Sequence, residues 1–328
     1  FRSTGFLGID WALDDGKYKI ERIVEPAPWD IEVRSPLDQP GIKVKAGDYI
    51  LAVNGIELDG TKDPYASFEG LSGKTVVLTV NQSPNKEGAK EVIIKTLNAS
   101  QEGRLRHLEW IESNRKTVEK LSNGDIGYIY MPNTGGQGQT ELFRQFYAQL
   151  DKKGFVIDER FNAGGQLSDR FMELLERPTI LYLHWRNSKD HKWPTYSNNG
   201  PKAMLINGWS GSGGDAFPWA FQELKTGPII GERTLGILVG PATGHMLIDG
   251  GYITVPDARL YRTSGEWFAE GHGIEPDIEV WDDPTLLSRG KDPQLERAVQ
   301  EVAKMLKENP PKFMPAPAYE DRTNKGLK

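Results

Sequence analysis

The chain has 328 residues and no cysteine. Disulfides, thiolate metal sites and a cysteine nucleophile are thereby excluded. Histidine is scarce. None of His107, His184, His191, His245 and His272 stands three or four positions from another, so no metal site is expected and no cofactor is implied. Long apolar runs are missing too. None approaches the ~18 residues that span a bilayer, and no membrane partner is expected. Basic blocks are absent: 40 Lys and Arg are scattered among 46 Asp and Glu, for a net charge of −6, which argues against nucleic acid. Neither G-x-x-x-x-G-K-[ST] nor G-x-G-x-x-G occurs, so the glycine-rich turns do not read as a phosphate cradle. Neither a Met nor a signal peptide opens the chain. Phe1-Arg2-Ser3-Thr4 reads as an internal cut that leaves the compartment open, with a cytoplasmic location expected.

What is present is an ordinary globular composition, 38% hydrophobic and 26% charged. The stretch that stands out is 203–221. Ala203-Met204-Leu205-Ile206-Asn207 fits a buried strand, and Phe217 and Phe221 lie four apart, as on one helix face. Between them stand Gly208, Ser210, Gly211, Ser212, Gly213 and Gly214. A strand turning into a helix through small residues can expose a hydroxyl and aim free N–H groups and the positive helix end at an anion. An acyl-transfer nucleophile needs that geometry, although most Gly/Ser turns are inert connections. A second corner, Asp158 to Gly165, follows the strand at Phe155. Two such turns on one sheet edge could offer two donors to one oxyanion.

Residues 1–98 read as a small β-rich unit, with short strands at Tyr18–Ile20 and Ile23–Val24, further strands near Asp48–Gly55, Lys74–Val80 and Glu91–Leu97, and a short helix near Pro64–Leu71. Asn98–Asn123 reads as a helix or helix pair, and a helical stripe over such a segment makes His107 a structural or surface residue. Strand and helix then alternate: strands at Ile126–Met131, Phe155–Ile157, Ala203–Ile206 and Pro228–Ile230, helices at Thr140–Leu150, Ser168–Glu176 with Ser168 as N-cap, and Ser212–Leu224. A β-ribbon is expected at 251–261 and a closing helix capped by Asp292-Pro293. The expected domains are 1–98, a 99–308 α/β domain and a Pro-rich tail, 309–328, extended or disordered.

Two sets of residues carry a family resemblance. In the first unit, Gly5-Phe6-Leu7-Gly8-Ile9 and the run from Pro40 to Gly55 resemble a PDZ domain. The resemblance implies that amides of Gly5, Phe6, Leu7 and Gly8 hold a peptide C-terminus while the peptide adds as a strand; the other reading is a unit that only packs or positions. In the second, Arg160 to Gly165, Ser210 to Pro218, Gly231 to Gly236 and Glu270 to Asp277 resemble the tricorn protease family, serine peptidases related to carboxy-terminal processing proteases. The implied fold is a PDZ-like domain followed by an α/β sandwich peptidase domain. The implied roles are nucleophile for Ser212, oxyanion donors for Gly165 and Gly213, and a base-orienting carboxylate for Glu270. Many tricorn-like sequences have Asp where Gly213 stands, a position that needs only its N–H. The processing proteases use a Ser/Lys pair, but the Lys position here is Ile237, which cannot take a proton. The base is expected to be a histidine from a segment before the PDZ-like unit, with His272 the other candidate. The resemblance further implies peptide substrates, β-propellers elsewhere in the full protein, and a homo-oligomer, a hexamer in the family. The reading from another class is an inactive PDZ-type peptide-binding scaffold.

Overall fold

In the computed structural model, residues 3–166, 168–240, 243–256, 258–268, 270–312, 314–320 and 323 are described. They fall into two compact units, 1–114 and 115–328.

Alternating side chains build the first unit. In Thr75–Asn81, Val76, Leu78 and Val80 are buried, and the residues between them are exposed or half-buried. With β5 assigned to that segment, the others are β1 (Ile9–Asp14), β2 (Lys17–Ile23), β3 (Tyr49–Val53), β4 (Ile56–Glu57) and β6 (Lys90–Lys95). They form one antiparallel sheet in the order β1-β2-β3-β5-β6, with β4 paired to β3. The expected short helix is a 3₁₀ turn, Pro64–Phe68, capped by Asp63. Asn98–Asn123 is one continuous helix, α1 (Ala99–Leu121). It begins where the sequence division at 98 falls, but the two units divide inside it. Its residues 99–114 belong to the β-rich unit, where Leu105 and Leu108 pack with Val24, Val33 and Leu97.

The second unit holds a five-stranded parallel sheet: β7 (Ile126–Tyr130), β8 (Gly154–Asp158), β11 (Lys202–Ile206), β12 (Ile229–Gly231) and β15 (Ile278–Glu279), side by side in chain order. The first four are buried throughout, as a sheet covered on both faces requires. Three crossover helices, α2 (Gly136–Ala148), α3 (Ser168–Leu175) and α4 (Gly213–Glu223), share one core with Ile129, Phe155, Ile157, Met204, Ile206 and Ile229. Phe146, Phe171, Phe217 and Phe221 are fully buried there, each contributing about 1.5–3 kcal/mol. After a short α5 (Pro284–Leu287), α6 (Pro293–Glu308) packs on β7, β8, β11 and β12, with Asp292 accepting from Leu295 N–H at its start.

The expected elements are present with ends shifted by a few residues. Ser168 is the first residue of α3 and not its N-cap; Leu167 lies outside the described residues. Two pairings go beyond the expected elements: β9 (Leu181–Leu183) with β10 (His191–Trp193), and β13 (Thr243–Met246) as the partner of β14 (Tyr252–Val255). Residues 310–312 and 314–320 carry no regular structure.

Candidate active site

Parallel strands send all their βα turns to one edge of the sheet. The β8–α3 and β11–α4 corners therefore lie together, because β8 and β11 are neighbours. They touch: a methyl group on Gly164 would stand 2.7 Å from Ser212 Cβ and 3.1 Å from Ser212 Oγ. A methyl on Gly213 would meet Gly165 O at 2.6 Å and Gly165 N at 2.8 Å. Side chains at either position would hold the corners apart, and this close approach is what the glycines permit.

Ser212 caps α4 with φ 58° and ψ −114°, a backbone conformation that costs about 1–3 kcal/mol and persists only where its surroundings impose it. The surroundings are visible. Its N–H donates to Ile237 O at 2.6 Å and to Asp215 Oδ2 at 2.9 Å. Fully buried Asp215 also accepts from Thr234 Oγ1 at 2.6 Å and Gly236 N–H at 2.9 Å, tying the elbow to the 234–237 loop. Asn162 ties it to the other corner: its Oδ1 accepts from Gly164 N–H at 2.8 Å and its backbone O from Gly211 N–H at 3.2 Å. Ser210 Oγ donates to Glu159 O at 2.8 Å, and Asn207 Oδ1 accepts from both Phe161 and Trp209 N–H. Sequence gives Asp215, Asn162, Asn207 and Thr234 no role of their own, because beside its local turn bonds each also joins segments far apart in the chain: Asn207 meets Phe161 across 46 positions, and Asp215 meets Thr234 across 19.

Two buried ionisable side chains lie beneath. Glu159 is fully buried, and burial, with Asp215 and Asp158 nearby, pushes its carboxyl well above the usual carboxylate range. Arg160, 2% exposed, is opposed by burial but held charged by Asp158 and Asp292. It anchors the corner to the start of α6.

Glu270 Oε2 accepts from Leu238 N–H at 3.0 Å and Val239 N–H at 2.8 Å. These residues directly follow Ile237, whose carbonyl takes the Ser212 N–H, so one loop holds both the carboxylate and the elbow. His272 instead faces Glu275 at 3.3 Å and Arg233 at 3.3 Å, and 62% of its side chain is exposed. Among the described residues no histidine is hydrogen-bonded to Ser212. Ile237 is 55% exposed.

In the first unit, three amides of the 5–8 loop are engaged. Gly5 N–H donates to Phe68 O, Phe6 N–H to Leu97 O, and Gly8 N–H to Glu102 Oε2 of α1 at 2.9 Å. Leu7 is buried completely. Arg106, one turn after Glu102 and bonded to it, donates to Ile9 O at 2.8 Å.

Comparison with known proteins follows the same division. Residues 5–99 match the tricorn protease PDZ domain, and residues 125–280 match peptidase family S41. Tricorn protease homolog 1 of Streptomyces coelicolor is 33% identical over 313 residues, covering 95% of this chain and 29% of its own length. Tricorn protease of Thermoplasma volcanium is 30% identical over 302 residues, 91% of this chain and 29% of that protein. A crystal structure of the tricorn protease superposes with a TM-score of 0.82 at 28% identity, over 93% of this chain and 29% of that one. The chain thus spans under a third of the length of each of these three proteins. On these matches it belongs to peptidase family S41, and within it to the tricorn proteases.

Proposed function

We propose that this chain carries the nucleophile and oxyanion site of a serine endopeptidase acting on peptides or unfolded polypeptides. Ser212 Oγ attacks the scissile carbonyl. Its proton passes to a histidine from a segment upstream of the PDZ-like unit and on to the leaving amine, and water resolves the acyl-enzyme. The oxyanion is held by the N–H groups of Gly165 and Gly213. Glu270 orients the histidine through Oε1, which has no partner among the described residues while Oε2 grips the 238–239 backbone. The single observation that carries this reading is the touching of the two corners: Gly164 against Ser212 Oγ, and Gly213 against Gly165. The strained elbow supports it further.

The inactive peptide-binding scaffold has less behind it, since Gly8 N–H is already bonded to Glu102. Assembly as a homo-oligomer and a cytoplasmic location are further expectations from the family. The test is a fluorophosphonate probe on the protein with its upstream segment. The reading expects one label, mapped to Ser212 and lost in Ser212→Ala; a label elsewhere, or none, contradicts it.

A further inference from the structure

A third corner meets the other two. It follows β7, at Asn133-Thr134-Gly135-Gly136, and leads into α2. Thr134 N–H donates to Gly164 O at 2.9 Å, and a methyl on Gly165 would stand 2.4 Å from Thr134 C and 2.3 Å from Gly135 N. The Thr134 backbone is thus clamped against the glycine pair. Its side chain is directed at the third glycine: a methyl on Gly213 would stand 1.8 Å from Thr134 Oγ1. That hydroxyl is fully buried, and Oγ1 has no hydrogen-bond partner among the described residues. A buried, unpaired hydroxyl is destabilising, and a valine of the same shape would avoid the penalty, so the group needs a reason to be there.

We propose that the Thr134 hydroxyl is a third donor to the tetrahedral oxyanion, beside the N–H groups of Gly165 and Gly213. The proposal rests on the serine-peptidase reading above. In the resting protein the hydroxyl has no acceptor among the described residues, and the substrate's developing O⁻ supplies one. The threonine keeps its proton throughout and donates a charge-assisted bond that is made only as the tetrahedral species forms. Such a donor raises kcat and leaves substrate affinity nearly alone.

The experiment compares Thr134→Val and Thr134→Ser with wild type in the protein containing its upstream segment. It measures kcat and KM on a peptide substrate, inhibition by a peptide aldehyde, and the urea midpoint. Loss of one oxyanion donor predicts kcat lower by roughly 10²-fold in Thr134→Val, with KM within about threefold. Aldehyde affinity should fall in step with kcat, serine should restore most of both, and the valine variant should unfold at equal or higher urea. A valine variant as fast as wild type overturns the proposal. So does one that unfolds at lower urea with unchanged aldehyde affinity, because the hydroxyl would then be a structural bond. If wild-type Ser212 takes no fluorophosphonate, the underlying peptidase reading has failed, which is a separate result from normal labelling with an indifferent Thr134.

Discussion

The backbone N–H of Ser212 and the carboxylate of Asp215, three residues on, are hydrogen-bonded at 2.9 Å. The same carboxylate holds Thr234 and Gly236, so one buried side chain fixes the elbow against the 234–237 loop. Asp215→Asn keeps the shape but turns an NH₂ toward these donors, leaving at least one buried N–H or O–H unpaired. The expected cost is about 1–3 kcal/mol in urea unfolding, with fluorophosphonate labelling of Ser212 slowed roughly tenfold or more. Unchanged labelling would mean that the elbow holds itself.

Gly213→Ala should be more harmful to chemistry than to folding. Its methyl would stand 1.8 Å from Thr134 Oγ1 and 2.6 Å from Gly165 O, so the two corners must separate. A shift of about 1 Å at an oxyanion site costs on the order of 10² in rate. Peptidase assays beside a thermal melt check this. Gly135 and Gly136 are useful controls: a methyl on Gly135 would meet only Asn133 Oδ1, at 3.3 Å, and one on Gly136 would meet open space.

Glu159 should make stability depend on pH in a particular direction. Its folded pKa lies above its unfolded one, so between the two the native state holds the extra proton. Stability is complete below the ordinary carboxylate range and falls as pH rises through the window, by up to about 1.4 kcal/mol per unit. Glu159→Gln removes the titration. Its stability relative to wild type should grow as pH rises above the ordinary carboxylate range, read from urea midpoints at a series of pH values. A constant difference would show that the carboxyl does not titrate there.

The engagement of Gly8 by Glu102 predicts weak capture of free C-termini by the 5–8 loop. A terminal carboxylate must displace one already in place, and Arg106 already occupies Ile9 O. Fluorescence titration of a peptide with a free C-terminus should show no saturation up to roughly millimolar concentration, a free energy of only about −4 kcal/mol. Saturable, amidation-sensitive binding at lower concentration would contradict this.

Much of this was legible in the residues. The two glycine-rich corners that hold Ser212, Gly213 and Gly165 stand out because small residues follow an apolar run, a local pattern that chain order preserves; the roles of the three come from the family resemblance. The same signal was present in Thr134-Gly135-Gly136 after Ile126–Met131, yet it draws little notice without a neighbouring serine. Asp215, Asn162 and Glu102 were not legible. Glu102 meets Gly8 across 94 positions, and a helical stripe says which face is apolar without saying what covers it. That is also why α1 could not be divided between the two units from its sequence.

The most direct measurement is a crystal structure of the protein, with its upstream segment, after reaction with a peptidyl fluorophosphonate. Phosphorus is expected on Ser212 Oγ, with a phosphonyl oxygen about 2.7–3.1 Å from the N–H nitrogens of both Gly165 and Gly213. An adduct whose oxygen points to solvent, or an adduct on any other residue, would contradict it.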